Sequence, residues 1–152
     1  MKKLLTPFAI LLSVILLYNI AEAQNDKRYN IEMSFNYNGK TIKSELSSAS
    51  YSLSKDQYQN SSEKKSIYVS VIPIKLEKDL LLAYKDTNAK FDITITVTDA
   101  FGKTPKRETL LKKAIISNLS ESSSPYNYEY SSSVSVSLLA ESIVIEGVEI
   151  LP

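Results

Sequence analysis

Phe91-Asp92-Ile93-Thr94-Ile95-Thr96-Val97-Thr98 alternates apolar and polar residues without a break. A period of two, built mostly from β-branched residues, is the pattern of a strand with one buried and one wetted face. It puts Phe91, Ile93, Ile95 and Val97 together on the buried side. A strand dry on one face needs other strands or a helix to cover it, so this stretch points to a mainly β fold.

Working outward, the same alternation recurs upstream. Ile31, Met33, Phe35 and Tyr37 alternate with Glu32, Ser34 and Asn36, and Asn38-Gly39 follows as a tight hairpin signal. The return strand spans Thr41–Ser54 and is less regular, with Ile42, Leu46, Ala49, Tyr51 and Leu53 as its apolar positions. Lys55–Lys65 is polar throughout and reads as a long exposed loop. Ile67, Val69 and Val71 then share one side of a strand, and Ile72, Ile74 and Leu76 share the other. That change of parity beside Pro73 predicts a bulge or an edge position.

One short helix falls in the middle. Leu76, Leu80, Leu81 and Tyr84 recur with a helical period, Glu77 and Asp79 stand early and Lys85 late, and Asp86-Thr87-Asn88 ends it. Downstream of the opening stretch, Ala100–Pro105 forms a turn containing Gly102. Glu108–Leu119 is read as the return strand, although Leu110-Leu111 and Ala114-Ile115-Ile116 fit a helix equally by periodicity. From Tyr126 to Ala140 the apolar residues fall on even positions and serines on most odd ones. A strand of about 15 residues exceeds the usual five or six, so it is either bent or divided at Ser131–Ser133. Ile143 and Ile145 continue on the opposite parity, which implies a bulge near Glu141-Ser142, and Val148–Leu151 closes the chain.

The N-terminus sets the expected compartment. Lys2 and Lys3, an apolar run through Leu17 and the Ala21-Glu22-Ala23 pattern read as a signal peptide over 1–23, leaving a single domain over 24–152. The apolar run is too short for a spanning helix, so no stable membrane insertion is expected after cleavage. The location expected is periplasmic or extracellular. Without Lys2, Lys3 and Glu22 the chain holds 16 basic and 16 acidic residues, which gives no field to draw nucleic acid.

Missing residue types exclude most chemistry. The chain contains no histidine and no cysteine, so Ser–His and Cys–His nucleophiles, disulfides and nearly all transition-metal sites are absent. Its three glycines, Gly39, Gly102 and Gly147, form no phosphate-binding loop, and no cofactor is expected. Glu77 and Asp79 are explained by a helix dipole rather than by acid–base work. Tyr126, Tyr128 and Tyr130 read either as a strip for a glycan or peptide or as the half-buried face of a strand. Asn60-Ser61-Ser62 and Asn118-Leu119-Ser120 fit the glycosylation triplet.

From Ile67 onward the order of elements resembles the haemolysin-coregulated protein family, the tube subunit of type VI secretion, in its Bacteroidetes-type forms. Three parts carry the resemblance: the helix Glu77–Tyr84, the strand pair Phe91–Thr98 and Leu110–Ser122, and the closing stretch Val134–Gly147. Tyr51-Ser52-Leu53-Ser54 is similar to the family's second strand. The resemblance implies a two-sheet antiparallel β-barrel with one helix on its side, and assembly into hexameric rings that stack as a tube carrying effectors. It also implies that Lys55–Lys65, with Lys55, Gln57 and Tyr58, takes the place of a loop meeting a neighbouring ring. The serine face of Ser131–Ser137, with Ser133 and Ser135, would line a lumen or a subunit contact.

The function expected is therefore structural and non-enzymatic: a ring- or tube-forming homo-oligomer in an exported form, with protein cargo as the further partner. The alternative is an exported monomeric binding or adhesion module for a glycan or a protein.

Overall fold

The computed structural model describes residues 27–53, 67–126 and 129–152, and for 124–126 and 129–132 it describes the backbone alone. The expected signal peptide, the loop 55–65 with Lys55, Gln57, Tyr58 and Asn60, and Tyr128 lie outside the described residues. No helix among the described residues is long and apolar enough to cross a membrane.

Eight strands and one helix follow in the order β1 (Tyr29–Tyr37), β2 (Lys40–Ser52), β3 (Ile67–Pro73), α1 (Lys78–Lys85), β4 (Phe91–Asp99), β5 (Arg107–Tyr126), β6 (Glu129–Ala140), β7 (Ser142–Ile145) and β8 (Val148–Ile150). The sheet runs β4-β1-β2-β3-β6-β5-β7-β8, and a further β4–β5 pairing closes its first six strands into an antiparallel barrel. Two three-stranded meanders, β1-β2-β3 and β4-β5-β6, make this barrel. They meet along two seams, β1 with β4 and β3 with β6.

Local chemistry explains the hairpins. Asn38 and Gly39 both take positive φ, 50° and 76°, which the tight turn between β1 and β2 requires and which asparagine and glycine tolerate. Glu146-Gly147 repeats this device between β7 and β8. After β4, Asp99 organises the turn that leads to β5. Its carboxylate accepts hydrogen bonds from the backbone of Phe101 and from both the backbone and hydroxyl of Thr104, at 3.0–3.1 Å.

The Phe101 bond first, and then those from Thr104, hold the Asp99 carboxyl below its ordinary value, while burial acts in the opposite direction. A depressed carboxylate stabilises the fold above the unfolded-state value near 3.8 and loses that contribution as pH falls through the folded-state value. Asp99→Asn should thus melt below the wild type at neutral pH, and the gap should narrow in strongly acidic buffer. Parallel melting curves across that range would rule out the carboxylate as the source.

The strand periodicity read from the opening stretch holds. Phe91, Ile93 and Ile95 are buried, as are Met33 and Phe35 on β1 and Val134, Val136, Leu138 and Ala140 on β6. Each fully buried aliphatic side chain of this kind contributes about 1.5–3 kcal/mol. Phe91 also contacts Phe35 and Tyr37, with ring centroids 4.9 and 5.9 Å away.

Four expectations resolve differently or more narrowly. Glu108–Leu119 is strand, not helix, within a β5 that extends to Tyr126. The long serine stretch reverses between Tyr126 and Glu129, rather than being bent or divided at Ser131–Ser133, so Tyr126 belongs to β5 and pairs with Glu129. In β3 the parity does not change: Ile67, Val69, Val71 and Pro73 are all buried, and Ile72 and Ile74 are exposed. β3 is also interior, flanked by β2 and β6, and the bulge sits in its partner β2 at Ser47. The buried stripe of α1 consists of Leu80 and Ala83 with half-buried Leu76, whereas Leu81 and Tyr84 are 41% and 39% exposed.

Candidate functional site: a barrel with two unlike faces

Bulges turn the barrel into two sheets. In β2 the register shifts between Leu46 and Ser48, and the extra residue, Ser47, donates its hydroxyl to the Ile72 carbonyl at 3.1 Å. In β5, Lys112 and Lys113 stand opposite the single residue Asp92 between the Phe91–Ala114 and Ile93–Leu111 pairs. Lys113 takes φ 49° there, and its N–H donates to the Asp92 carboxylate at 3.0 Å. A second shift in β5 falls at Ser117, whose hydroxyl donates to the Ser137 carbonyl at 3.0 Å. Bulges bend strands and increase their twist, so β2 and β5 pass from one sheet to the other at these points. The two-sheet barrel implied by the resemblance is the architecture observed.

The two sheets present different chemistry outward. On the first, formed by β1, β4 and the leading halves of β2 and β5, charges and threonines alternate. Lys43 pairs with Glu32 at 3.0 Å, beside Thr94, Thr96 and Thr98 of β4 and near Glu45 and Glu108. The second sheet comprises β3, β6 and the trailing halves of β2 and β5. Its outward residues include Ser48, Ser50 and Ser52 of β2, Tyr68, Ser70 and Ile72 of β3, Ser133, Ser135, Ser137 and Leu139 of β6, and Ile115, Asn118, Ser120 and Ser122 of β5. Among these described residues no side chain is charged.

The serines are bonded to one another across the strands. Ser120 and Ser135 lie 2.9 Å apart through their hydroxyls, and Ser122 and Ser133 lie 2.8 Å apart. Cross-strand hydroxyl pairs of this sort contribute a few tenths of a kcal/mol each, up to about 1 kcal/mol. Their hydrogen-bonding capacity is partly used within the sheet, so the face is wetted and neutral with few directional demands.

Of the expected contact residues, the structure therefore describes Ser133 and Ser135 fully and brings them onto one face. Tyr126 lies on β5 and Tyr130 on β6, where its backbone pairs with Pro125, so these two belong to different strands; Tyr128 lies outside the described residues. Sequence reading missed the serines of β2 and the residues Tyr68 and Ser70 as part of the same face. Their signal, serine on every second position from Ser48 to Ser52, is present in the chain but needs the β2–β3–β6 order to be placed.

Two open clefts lie away from this face. One, of about 530 Å³, is bordered by Lys112, Lys113, Glu141, Ser142 and Glu149. Its charges are committed to structure: Glu141 lies 2.7 Å from Lys90 and 3.5 Å from Lys113, and Glu149 takes bonds from Ser142 at 2.6 Å and Lys112 at 3.0 Å. The Ser142 bond first, and then Lys112, lower the Glu149 carboxyl below its ordinary value. These contacts fasten the end of β6 and the β7–β8 hairpin to β5. The other cleft, of about 730 Å³, is bordered by Thr94, Lys106, Arg107, Leu110, Val144 and Glu146. Among the described residues no group of three acidic, histidine or cysteine side chains is placed to hold a metal ion.

No family model matches the chain, and no curated protein matches it by sequence. Solved structures do. It is similar to Hcp1 from Flavobacterium johnsoniae, with 14% identity and a TM-score of 0.58 over 79% of this chain and 98% of that one. Hcp1 from Salmonella typhimurium gives 13% identity and a TM-score of 0.57 over 82% of this chain and 92% of that one. A further Hcp protein gives 14% and 0.54 over 80% and 97%. At such identities the likeness speaks to the backbone, and over nearly the full length of these proteins the chain has the fold of Hcp, the haemolysin-coregulated protein that its helix, its strand pair and its closing stretch resemble.

Proposed function

We propose that this chain is a structural subunit that assembles into rings, as a type VI secretion tube subunit does, with the neutral serine face turned toward the lumen. The two-faced barrel carries this reading. A ring subunit needs one surface that tolerates passing material without holding it and another that keeps the assembly soluble. The second sheet, uncharged over its described outward residues, suits the first role, and the charged first sheet suits the second. Self-association through unlike surfaces closes into a ring when the rotation closes.

The exported form is part of the proposal. It rests on the Met1–Ala23 pattern, and detection of a mature N-terminus at Gln24 in the native host supports it, whereas an uncleaved cytoplasmic product overturns it.

The assembly test is direct. Gln24–Pro152, purified and concentrated, should give ring-shaped particles in negative stain and a hexamer-sized species in light scattering. A strict monomer at high concentration overturns the ring and favours the single-copy binding module.

A further inference from the structure

The turn that leads from β4 into β5 leaves a phenylalanine in water. Phe101 is 57% exposed, whereas the other described phenylalanines, Phe35 and Phe91, lie in the core. The Gly102 N–H donates to the Asp99 carbonyl at 3.0 Å and closes the turn with Phe101 near its apex. Apart from its chain neighbours, nothing stands within 4 Å of the place where a Gly102 side chain would begin, so the apex is open on that side. The Asp99 carboxylate holds the turn from within through Phe101 and Thr104, and the ring is thus carried on an ordered support.

Cations surround that ring. The Lys103 amino group lies 5.9 Å from the centre of the Phe101 ring. The start of β1 is tied to the turn by the Ala100 N–H, which donates to the Arg28 carbonyl at 2.9 Å, and Arg28 itself stands 5.3 Å from the centre of the exposed Tyr29 ring. Lys27, Lys106 and Arg107 complete the group, so five cations meet only two carboxylates, Asp99 and Glu108, on these stretches. Glu45 and Glu146 approach from neighbouring strands, pairing with Lys27 at 4.0 Å and with Arg107 at 3.7 Å, as Glu108 pairs with Lys106. All three pairs are exposed, and such pairs hold weakly. Arg28 and Lys103 form no ion pair among the described residues, although Arg28 also acts on Asp99 from beyond contact distance.

We propose that this turn is a docking site for a membrane surface containing anionic lipid, with Phe101 entering the interface and the cations around it meeting the headgroup phosphates. A ring projecting from a convex turn gains most from a soft apolar layer that closes around it. Cations level with the ring gain from negative headgroups lying just above that layer, and lipid supplies both within the width of one turn. A single nucleic-acid strand also uses rings and cations, but it needs them spread along a track, whereas these are gathered round one tip. The contact needs only one copy of the chain, and a ring would multiply it.

The chain contains no tryptophan, so Phe101→Trp places a single fluorescent reporter at the apex. The mature chain from Gln24 carrying it is mixed with vesicles of phosphatidylcholine, alone or with phosphatidylglycerol. Emission should move to shorter wavelength on the mixed vesicles only, and high salt should abolish the shift. Tyr68→Trp, on the other sheet, should shift with neither. In cosedimentation with the mixed vesicles, Phe101→Ser should weaken binding about tenfold and Lys103→Ala about fivefold. Both replace exposed side chains, and the Phe101 bond to Asp99 comes from its backbone, so melting should stay as in the wild type. Equal binding to phosphatidylcholine alone, a matching shift from Tyr68→Trp, wild-type affinity in Phe101→Ser and Lys103→Ala, or tighter binding to a labelled oligothymidylate than to the mixed vesicles each overturns the proposal. Sizing the same samples separates the two readings: a monomer that binds the mixed vesicles keeps the docking site and sinks the ring, and a ring that ignores them does the reverse.

Discussion

Ile95→Asp is expected to yield no folded protein. Ile95 is 5% exposed at the centre of β4, paired with Met33 of β1 on one side and Thr109 of β5 on the other. An aspartate there must either bury an unpaired charge or take up a proton, and it also forfeits the apolar contacts of isoleucine. The combined loss is on the order of 5 kcal/mol or more. That equals the whole stability of many domains of this size. Circular dichroism should show no cooperative melt, and a wild-type-like transition would mean that Ile95 does not face the core. No disulfide stands in reserve, because the chain has no cysteine.

The helix gives the second large effect, and it comes as a contrast. Leu80 is fully buried and Leu81 is 41% exposed, although the two are neighbours on α1. Leu80→Ala should cost about 2–5 kcal/mol, because it removes core contacts and leaves a cavity. Leu81→Ala should fall within about 0.5 kcal/mol of the wild type, since the site is largely wetted and alanine is the better helix former. Urea unfolding of both variants measures the difference. Equal losses would show that the helix is rotated from its described orientation.

This contrast also shows where the sequence speaks and where it stops. Hydrophobic spacing alone grouped Leu80 with Leu81 and Tyr84, because all are large and apolar at helical intervals. It could not give weight to Ala83, a small side chain that is nonetheless fully buried against the core. The alternation in β1, β4 and β6 was plain, because one face of each strand is dry and the pattern is local. Bulges were harder to place. At Ile72 an exposed apolar residue imitated a change of parity in β3, while the real irregularity lay across the ladder at Ser47, where no local signal distinguishes one serine from the next.

The turn between β5 and β6 was hidden for a related reason. Tyr126 and Glu129 flank it without glycine, and the tyrosine spacing on either side continues as if the strand did. The neutral face was half legible. Ser133 and Ser135 announce themselves by alternation, but Ser48, Ser50, Tyr68 and Ser70 join them only through pairings between β2, β3 and β6. Such pairings are set by the path of the chain in space, and no window of a few residues contains them.

The two seams carry a consequence for how the chain finds this barrel. Within each meander, partners are close in sequence, as Phe35 and Ile42 are, whereas Met33 meets Ile95 and Val69 meets Leu138 at separations of roughly 60 to 70 residues. Each doubling of a loop costs about 0.6 kcal/mol of closure entropy, so a seam starts about 2 kcal/mol behind a hairpin. Once one seam has formed, however, the hairpin turns shorten the path to the other. The entropic toll is then largely met in one event, and neither meander has a lasting reason to stop halfway.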